Sequence, residues 1–487
     1  MSEPSALFQG YGVPASIYDE VFDEKGQVRA HYQPLYDFFQ RNVYGDFKDL
    51  NESVRHSFFN QGITFAVYNE TEQGTERIFP FDLFPRIIPT HEWEQLERGI
   101  CQRNMALNLF LHDLYHDKKI LRDKVVPADL IFSSRFYNQH MVGIEPAGNI
   151  YNHVSGTDLI KHADGAYYVL EDNIRCPSGV SYVLANRNAM KSNLSGLFQE
   201  MRVARVPTYP MELLATIQSV APAGIDKPVA VLLTPGIYNS AYYEHSFLAQ
   251  HMGIELVEGR DLFVSDSYVY MKTIYGPKRV DVIYRRVDDD FIDPEVYLKD
   301  SVLGVHGLMG AYRAGHVTLV NAPGTGVADD KAVYSYMPEI IRYYLGETAI
   351  INNVPTYRCE RAEDQQYVLE HLHELVVKPV DESGGYGIVI GHQATKEELA
   401  ATAARIRQHP RKYIAQPIMS LSTHATYIDE TACFEPRHID LRIYSLLGRD
   451  RQYVLRSGLT RVALRRGSLI VNSSQGGGSK DTWVLEP

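Results

Sequence analysis

"GTDLIKHADGAYYVLEDN", residues 156–173, contains two strand-like runs that are separated by Asp-Gly. Asp-Gly between such runs is a strong signal for a two-residue β-hairpin, because a type I′ turn needs positive φ at both central positions. With this pair at the centre of the turn, Asp158 lies directly opposite Glu171. Side chains alternate between the two faces of a strand, so Asn173 shares the face of Glu171. The stretch therefore predicts a hairpin with three polar side chains on one face.

Two acidic side chains that face each other destabilise a sheet unless something neutralises them. Asp158, Glu171 and Asn173 offer two carboxylates and an amide oxygen, and such oxygen ligands are the ones that Mg²⁺ prefers. A metal site is one interpretation of this pattern. A frayed hairpin with solvated acids is the alternative, and the stretch alone leaves both open.

Length, charge and cysteine content narrow the class of protein. The 487 residues are enough for more than one domain or for one large multi-layer unit. The formal net charge of -12 argues against general nucleic-acid binding, which needs a basic surface. The cysteines are far apart, which suits a reducing compartment and predicts no zinc site. Neither a secretory leader nor an apolar run of the ~20 residues that span a bilayer is visible, so we expect a cytoplasmic protein without membrane contacts.

Periodicity and composition divide the chain into four segments. Residues 1–89 are rich in aromatic side chains, and no role is assigned to them. Residues 90–220 begin with a long amphipathic helix and include the hairpin. Residues 221–320 show strand, helix, strand and a later strand, which predicts a parallel β-α-β layer with Gly253 closing its helix. Residues 321–487 alternate strands with glycine-rich loops.

A second group of polar residues lies in "ELVVKPVDESGGYGIVIG", residues 374–391, where a strand delivers Lys378. The loop after this strand contains Ser383, Gly384, Gly385 and Gly387. Lysine carries a compact positive charge that suits phosphate, and glycines let backbone N–H groups approach phosphate oxygens closely. A plain glycine hairpin beside a snorkelling lysine is the alternative interpretation.

A third group lies in "RHIDLRIYSLLG", residues 437–448, where Asp440 and Arg442 face the same side of a strand. The arginine fork suits phosphate, although an acid beside an arginine is commonly just an ion pair. The later run "NSSQGGGSKDTWVL" is not a P-loop. A Walker A motif requires Gly-Lys-Ser/Thr, whereas Lys480 stands between serine and aspartate.

Together these motifs resemble the ATP-grasp superfamily of carboxylate–amine ligases in circularly permuted form, and most closely its glutathionylspermidine-synthetase-like members. In unpermuted members the lysine strand and glycine flap come first, the D-x-R strand follows, and the metal-binding acid and E-x-N motif come last. In this chain Asp158 and the motif formed by Glu171 and Asn173 precede Lys378, and the strand with Arg442 comes last. The order of the motifs is therefore rotated relative to the unpermuted members, and every motif of the set is present.

The resemblance, which extends over about residues 90–487, implies a mixed α+β and α/β fold. The circularly permuted ATP-grasp core would be built from residues 90–220 and 321–487. Residues 221–320 would form a Rossmann-like companion domain of the pre-ATP-grasp type. ATP and Mg²⁺ are the implied cofactors, with ATP lying between two α+β layers under the glycine flap.

The resemblance also implies roles for single residues. Asp158, Glu171 and Asn173 would hold Mg²⁺ between the β- and γ-phosphates. Contacts to ATP are implied for Lys331, Lys378, Ser383, Gly384, Gly385, Gly387, Gln416 and Arg442. Catalytic roles are implied for Arg442, Arg175 and Lys378.

The implied reaction is phosphorylation of a carboxylate by ATP, followed by attack of an amine on the acyl phosphate. The substrates would be small-molecule or peptide carboxylates and amines. Arg175 and Ser178 would bind the substrate carboxylate or the acyl phosphate, although a surface ion pair is an equal alternative for Arg175. Arg285 and Arg286 end a strand where open α/β sheets place ligands, and only one of them is expected to face the cleft.

Two other functions are compatible with the same residues. An ATP-grasp phosphotransferase would stop at a phosphorylated product, and its phosphate-binding residues would be the same. A non-catalytic ATP-binding scaffold protein would be expected to lack metal or lysine positions, and none of these is missing. The ligase interpretation is therefore preferred, with its substrates and oligomeric state left open.

Overall fold

The computed structural model describes residues 6–14, 16–41, 44–67, 75–382, 386–471 and 477–487. Within these ranges the α-helices are α1 (Gln33–Arg41), α2 (Tyr44–Asn60), α3 (Thr90–Tyr115), α4 (Lys119–Arg122), α5 (Ala128–Phe132), α6 (Val180–Asn193), α7 (Ser195–Glu200), α8 (Tyr209–Ser219), α9 (Tyr242–Met252), α10 (Leu308–Arg313), α11 (Lys331–Tyr334), α12 (Met337–Leu345), α13 (Ala362–Glu370) and α14 (Lys396–Gln408). The strands are β1 (Thr64–Val67), β2 (Thr75–Ile78), β3 (Phe81–Ile88), β4 (Val154–Lys161), β5 (Tyr167–Asn173), β6 (Ala230–Leu233), β7 (Glu255–Val257), β8 (Leu262–Ser265), β9 (Tyr268–Thr273), β10 (Gly276–Val280), β11 (Val282–Arg285), β12 (Thr318–Val320), β13 (Asn352–Asn353), β14 (Tyr357–Arg358), β15 (Leu375–Pro379), β16 (Val389–Ile390), β17 (Tyr413–Pro417), β18 (Thr423–Ile428), β19 (Cys433–Leu447), β20 (Gln452–Val454), β21 (Leu459–Val462) and β22 (Gly478–Val484).

The largest sheet, called the main sheet below, is organised around the long strand β19. In the described residues its order is β13-β5-β4-β19-β21-β22-β3, and β18 and β20 also pair with β19. Leu441 and Ile443 of β19 are buried in one apolar cluster with Trp93 and Leu96 of α3. Because side chains alternate along a strand, Asp440 and Arg442 point to the opposite face. The long helix predicted after residue 90 is α3, and it covers one face of the main sheet.

The hairpin predicted for residues 156–173 forms from β4 and β5, and Asp158 is opposite Glu171 as predicted. The predicted two-residue turn is wrong. Lys161 pairs with Tyr167, and of the two predicted central residues only Gly165 has positive φ. Near the longer turn, the pairing of β4 with β5 is shifted by one residue from the predicted register. An irregularity between Asp158 and Leu159 restores the predicted register, so Asp158 still faces Glu171.

Residues 221–320 supply a second, parallel sheet in the order β12-β11-β6-β7. Helix α9 connects β6 to β7, and Gly253 ends it with φ 68°, as predicted. The antiparallel strands β8, β9 and β10 lie between β7 and β11 in the sequence and form a sheet of their own. This is the Rossmann-like companion layer of the fold. The chain turns from β6 and β11 into loops at the carboxyl edge of the parallel sheet, where such sheets bind ligands.

A third layer carries the lysine strand. Strands β14, β17, β15 and β16 form a four-stranded sheet in that order, called the third sheet below. Helices α13 and α14 pack against it through Val368, Ala403 and Ile406. Lys378 lies on β15, opposite Ile414 of β17. The third sheet and the main sheet face each other across a cleft.

The N-terminal segment, to which the sequence assigns no role, contributes to the main sheet. Strand β3 pairs in parallel with β22 at the sheet edge. Beside this pair, the fully buried Lys480 forms an ion pair with Asp82 and donates to the carbonyl oxygen of Ala425 at 2.9 Å. The lysine of the rejected P-loop is thus a structural ion-pair residue. In the described part of the chain, no helix has both the length and the apolar character needed to cross a membrane.

The buried ion pair of Lys480 predicts a large loss of stability when the lysine is removed. Lys480→Met keeps the side-chain length but leaves Asp82 charged and unpaired, so we expect the free energy of unfolding to fall by about 3–5 kcal/mol. The control is Lys278→Met, which removes a half-exposed ion pair with Glu255 and should cost less than ~1 kcal/mol. Urea denaturation can be followed by the fluorescence of Trp93 and Trp483, since both side chains are fully buried in elements that pack in or on the main sheet. Equal stability of the two variants would contradict this prediction.

Candidate active site

Two neighbouring cavities occupy the cleft, and two residues, Glu171 and Arg461, belong to the walls of both. The first cavity lies between the main sheet and the third sheet. Its polar wall is formed by Asp158, Glu171, Lys331, Glu382, Lys378, Gln416 and Arg461. Its apolar wall includes Leu170, Val376, Ile388, Ile390, Met419, Leu421, Leu469 and Ile470. The combination of apolar side chains and lysines suits a ligand with a flat apolar part and an anionic part.

The predicted nucleotide-binding residues Lys331, Lys378 and Gln416 come together in the first cavity. The ammonium group of Lys378 donates to Oε1 of Gln416 at 2.7 Å, and the ammonium group of Lys331 lies 3.3 Å from a carboxylate oxygen of Glu171. Burial lowers the pKa of Lys378 to about 8, although the nearby carboxylate of Glu171 acts in the opposite direction. The shift predicts that Lys378 loses its charge at about pH 8, well below the ordinary range of a lysine.

The predicted glycine flap is described only in part. Ser383, Gly384 and Gly385 lie outside the described residues. Gly387 has φ +70°, and a Cβ there would lie 2.8 Å from the side chain of Pro379, so a larger residue would be strained. Pro379 ends the strand that carries Lys378, which ties the flap to the lysine strand.

The second cavity lies between the main sheet, the start of α6 and the carboxyl edge of the parallel sheet. Its charged residues are Glu171, Arg175, Glu244, Arg286, Asp288, Asp329, Arg442 and Arg461. The Nε of Arg175 donates to Asp329 at 2.9 Å, and its guanidinium lies 4.4 Å from the ring centroid of Phe136. Burial raises the pKa of the Asp329 carboxyl to about 6, although Arg175 opposes the shift. Arg175 is thus held in place at the cavity wall, and Ser178 lines the same wall.

Of the two consecutive arginines, the structure places Arg286 at the second cavity. Arg285 turns away and donates to the carbonyl oxygens of Asn321 at 2.7 Å and Val287 at 2.9 Å. Arg286 forms an ion pair with Glu244 at 3.2 Å. Glu244 in turn accepts the N–H of Gly179 at 2.6 Å, just before α6 begins. Arg286 therefore supports the cavity wall and the start of a helix.

Asp158, Asp440, Arg442 and Arg461 form a compact group at the junction of the cavities, called the four-residue cluster below. Arg442 donates to Asp158 from Nε at 2.5 Å and from Nη2 at 2.8 Å. Arg461 donates to Asp158 at 2.7 Å and to Asp440 from Nε at 2.9 Å. Burial alone would raise the pKa of Asp158, but the two guanidinium groups outweigh burial and hold it below its ordinary value.

The four-residue cluster changes how the paired acids of the hairpin are understood. Cations of the protein offset the repulsion between the facing carboxylates of Asp158 and Glu171. Two arginines neutralise Asp158, and Lys331 lies beside Glu171. Asp440 does not pair with Arg442, its neighbour in the D-x-R motif, but with Arg461. Sequence reasoning missed Arg461. The only signal for it was its position in the "LTRVALRRG" stretch that resembles the permuted family.

The residues present fit a magnesium ion in their chemistry. Glu171 and Asn173 both line the second cavity, and Asp158 lies opposite Glu171. The side-chain N–H of Asn173 donates to the carbonyl oxygen of Gly156 at 3.3 Å, so its amide oxygen points away from that carbonyl. Two carboxylates and an amide oxygen are hard donors of the kind that Mg²⁺ binds. Among the described residues, no group of three or more His, Cys, Asp and Glu side chains is arranged to hold a metal, so a site here depends on the amide.

The chain belongs to the circularly permuted ATP-grasp type 2 family, which matches residues 85–463. An uncharacterized protein of Synechocystis sp. is 54% identical over 473 residues, which cover 97% of this chain and 98% of that protein. The putative glutamate–cysteine ligase 2-3 of Frankia alni is 40% identical over 470 residues, which cover 96% of this chain. Those residues make up only 54% of the Frankia protein, so the chain spans about half of it.

A solved structure supports the same fold. The glutathione synthetase-like effector of Globodera pallida, in its apo form, aligns with a TM-score of 0.58 and 10% sequence identity. The alignment covers 91% of this chain and 98% of the effector. At this identity the likeness shows the fold alone. Membership of the permuted ATP-grasp family supports an ATP-dependent ligase.

The lowered pKa of Lys378 predicts that nucleotide binding depends on pH. Lys378 is charged below about pH 8 and neutral above it. The affinity for ADP should therefore fall as the pH rises through this value, by at most ~10-fold per pH unit. In Lys378→Arg the cation stays charged throughout this range, so its affinity should be flat. Calorimetric titration of ADP with Mg²⁺ between about pH 7 and 9.5 measures both dependences. The same slope in wild type and variant would exclude Lys378 as the titrating group.

Proposed function

We propose that this protein is an ATP-dependent carboxylate–amine ligase that acts through an acyl phosphate. The observation that carries the proposal is one cleft with two unlike cavities, joined at the shared residues Glu171 and Arg461. An apolar cavity with lysines suits a nucleotide, and a cavity with a fixed arginine suits a carboxylate. A phosphoryl group that passes from one cavity to the other has to cross the wall that they share.

The first cavity would bind ATP. Lys378 and Lys331 would contact the phosphates, because ammonium groups are compact charges that suit phosphate oxygens. Gln416 holds Lys378 at 2.7 Å and is fixed in turn by its own donation to Thr356 at 3.0 Å. The strand β17 that carries Gln416 would supply backbone groups to the adenine, and the flap that includes Gly387 would cover the phosphates. A closed flap would exclude water from the reactive product.

Glu171, Asn173 and Asp158 would hold Mg²⁺ at the junction of the cavities. When bound, the ion would neutralise charge on the phosphates and orient the group that is transferred. Lys331, which lies 3.3 Å from Glu171, has an alternative anionic partner in a bound phosphate. Arg442, whose carboxylate partner is Asp158, would gain an anionic partner as the phosphoryl group is transferred. Binding of both phosphate and cation would replace these internal ion pairs without leaving any charge unpaired.

The second cavity would bind the carboxylate through Arg175. A carboxylate is a poor acyl donor because its leaving group would be oxide, and phosphorylation supplies a better leaving group. Arg442 lies at the wall of this cavity with its side chain 15% exposed. It would stabilise the negative charge of the moving phosphoryl group, an effect that is strong where water is excluded. The amine would then attack the acyl carbon from the same cavity.

The direct test is a search for a product that needs ATP, a carboxylate and an amine. The purified protein is incubated with Mg²⁺, ATP and pools of amino acids and other carboxylates and amines. We expect ADP release and a product whose mass is the sum of two substrates less water. Glutamate with cysteine belongs in the panel because of the name of the Frankia relative. Hydroxylamine in place of the amine should trap the acyl phosphate as a hydroxamate.

Two outcomes of this search would count against the proposal. A phosphorylated product that is stable when amines are present would indicate a phosphotransferase. Binding of ATP without any carboxylate-dependent release of ADP, across the whole panel, would favour a scaffold protein. Lys378→Met serves as the matched negative control, because it removes a phosphate contact while Gln416 and the strand remain.

Lys378 and Arg442 should affect different kinetic constants. Lys378→Met should chiefly weaken nucleotide binding, since its phosphate contacts exist before the reaction. Arg442→Ala should lower turnover by about 10²–10³, comparable to the loss of one preorganised oxyanion donor, and leave the nucleotide Kd nearly unchanged. Arg461 still neutralises Asp158 in this variant, so the fold should persist. Arg442→Lys should not restore turnover, because lysine lacks the two-pronged fork.

Two measurements on the same variants separate the effect on binding from the effect on turnover. Calorimetry gives the nucleotide affinity, and steady-state kinetics give the turnover. If Arg442→Ala keeps turnover within a factor of about three, which corresponds to ~0.6 kcal/mol, Arg442 is a structural ion-pair residue and its proposed role fails.

A further inference from the structure

The two arginines of the four-residue cluster are held very differently. The Nε of Arg461 donates to both carboxylate oxygens of Asp440, at 2.9 Å and 3.1 Å. Its Nη2 donates to Asp158 at 2.7 Å. Its side chain is 6% exposed. Arg442 has a carboxylate partner in Asp158 and donates to the carbonyl oxygen of Ser178 at 3.3 Å, and it is 15% exposed. Arg461 is therefore shared between two acids, whereas Arg442 has one.

The sheet explains this difference. Strand β19 lies between β4 and β21, so Arg442 is directly opposite Asp158 on one side, and Asp440 is directly opposite Arg461 on the other. Arg461 reaches diagonally past β19 to Asp158. It is the one side chain of the cluster that joins β21 to β4, and it lies where the two cavities meet.

The charge balance shows what this arrangement permits. Two carboxylates and two guanidinium groups are neutral together. If Arg442 turns to a phosphoryl group, Asp158 stays paired with Arg461. The rest of the cluster, Asp158, Asp440 and Arg461, then has one net negative charge beside the cleft. Without Arg461, Asp440 would lose its guanidinium partner, and the same movement would leave Asp158 to the bound cation alone; an uncompensated buried carboxylate is strongly unfavourable.

We propose that Arg461 is a positioning residue for the reaction. It keeps Asp158 neutralised and oriented opposite Glu171 while Arg442 leaves to contact the transferred phosphoryl group. This inference rests on the proposed function, because it assumes that the cleft binds ATP with a divalent cation. Arg461 acts through Asp158 and needs no contact with the substrate.

The test measures how nucleotide binding depends on Mg²⁺. Arg461→Lys keeps the charge, but a single ammonium group cannot bridge Asp158 and Asp440 as the guanidinium does. Calorimetric titration of ATP at a series of Mg²⁺ concentrations should show that half-maximal binding needs about tenfold more Mg²⁺ in Arg461→Lys, as for other residues that orient a metal ligand. The matched control is Arg187→Lys. Arg187 is also buried and pairs with Asp481 at 2.8 Å, but it is not among the residues that line the two cavities.

A second variant keeps the test decisive if Arg461→Lys does not fold. Asp440→Asn removes the negative charge of the carboxylate that accepts from Arg461, and it leaves Asp158 and Arg442 unchanged. We expect it to raise the Mg²⁺ requirement by a smaller factor than Arg461→Lys. The double variant should show less than the product of the two single effects, because both act through the same guanidinium.

The outcomes separate this inference from the function on which it rests. An unchanged Mg²⁺ requirement in a folded Arg461→Lys or Asp440→Asn, with wild type binding ATP, overturns the role of Arg461 alone. An equal rise in Arg187→Lys also overturns it, since the effect would then follow from lost stability. Absence of Mg²⁺-dependent nucleotide binding in the wild type overturns the proposed function and this inference together.

Discussion

The buried carboxylate of Asp158 is stabilised by two guanidinium groups that lie beside it. Arg442 and Arg461 approach Asp158 from β19 and β21, within 2.8 Å. A charge in this place without partners would shift its pKa or destabilise the sheet. The strand order β4-β19-β21 at the centre of the main sheet is what brings these groups together. Arg461 of β21 and Glu171 of β5, the hairpin partner of β4, lie at the junction of the two cavities. The site and the centre of the fold therefore depend on one set of ion pairs.

The layers around this centre give each cavity its own chemistry. The third sheet places Lys378 across the cleft from the hairpin and adds apolar side chains. The parallel sheet presents the loops that follow β6 and β11, so the second cavity is polar and holds its arginines through acidic partners. Glu171 and Arg461 belong to both walls. The cleft therefore contains two cavities of different character on either side of a charged boundary.

The ion pairs of this boundary also bear on how ligands bind. Acids that suit a cation, Asp158 and Glu171, lie against cations that suit phosphate, Arg442 and Lys331. A phosphate alone that draws Lys331 away would leave Glu171 without this cation, whereas Asp158 would keep Arg461. Both together satisfy every charge. A ligand that carries both a phosphate and a cation therefore suits the charges of this boundary better than either component alone.

The amino-acid sequence by itself determined what depends on local periodicity and motif order. Hydrophobic spacing indicated α3 and the parallel layer closed by Gly253, and strand alternation put Asp440 and Arg442 on one face. The order of the acid, E-x-N, lysine and D-x-R motifs indicated the permuted family, which the match over residues 85–463 confirms.

Only the tertiary structure decided which charges meet. Asp158 and Arg461 are 303 residues apart in the chain, and Lys480 and Asp82 are 398 apart. No local pattern encodes such pairs, because they arise when distant strands become neighbours in one sheet. The turn of the hairpin shows the same limit at short range. Its predicted type was wrong, and a register irregularity in the β4–β5 pairing kept Asp158 opposite Glu171.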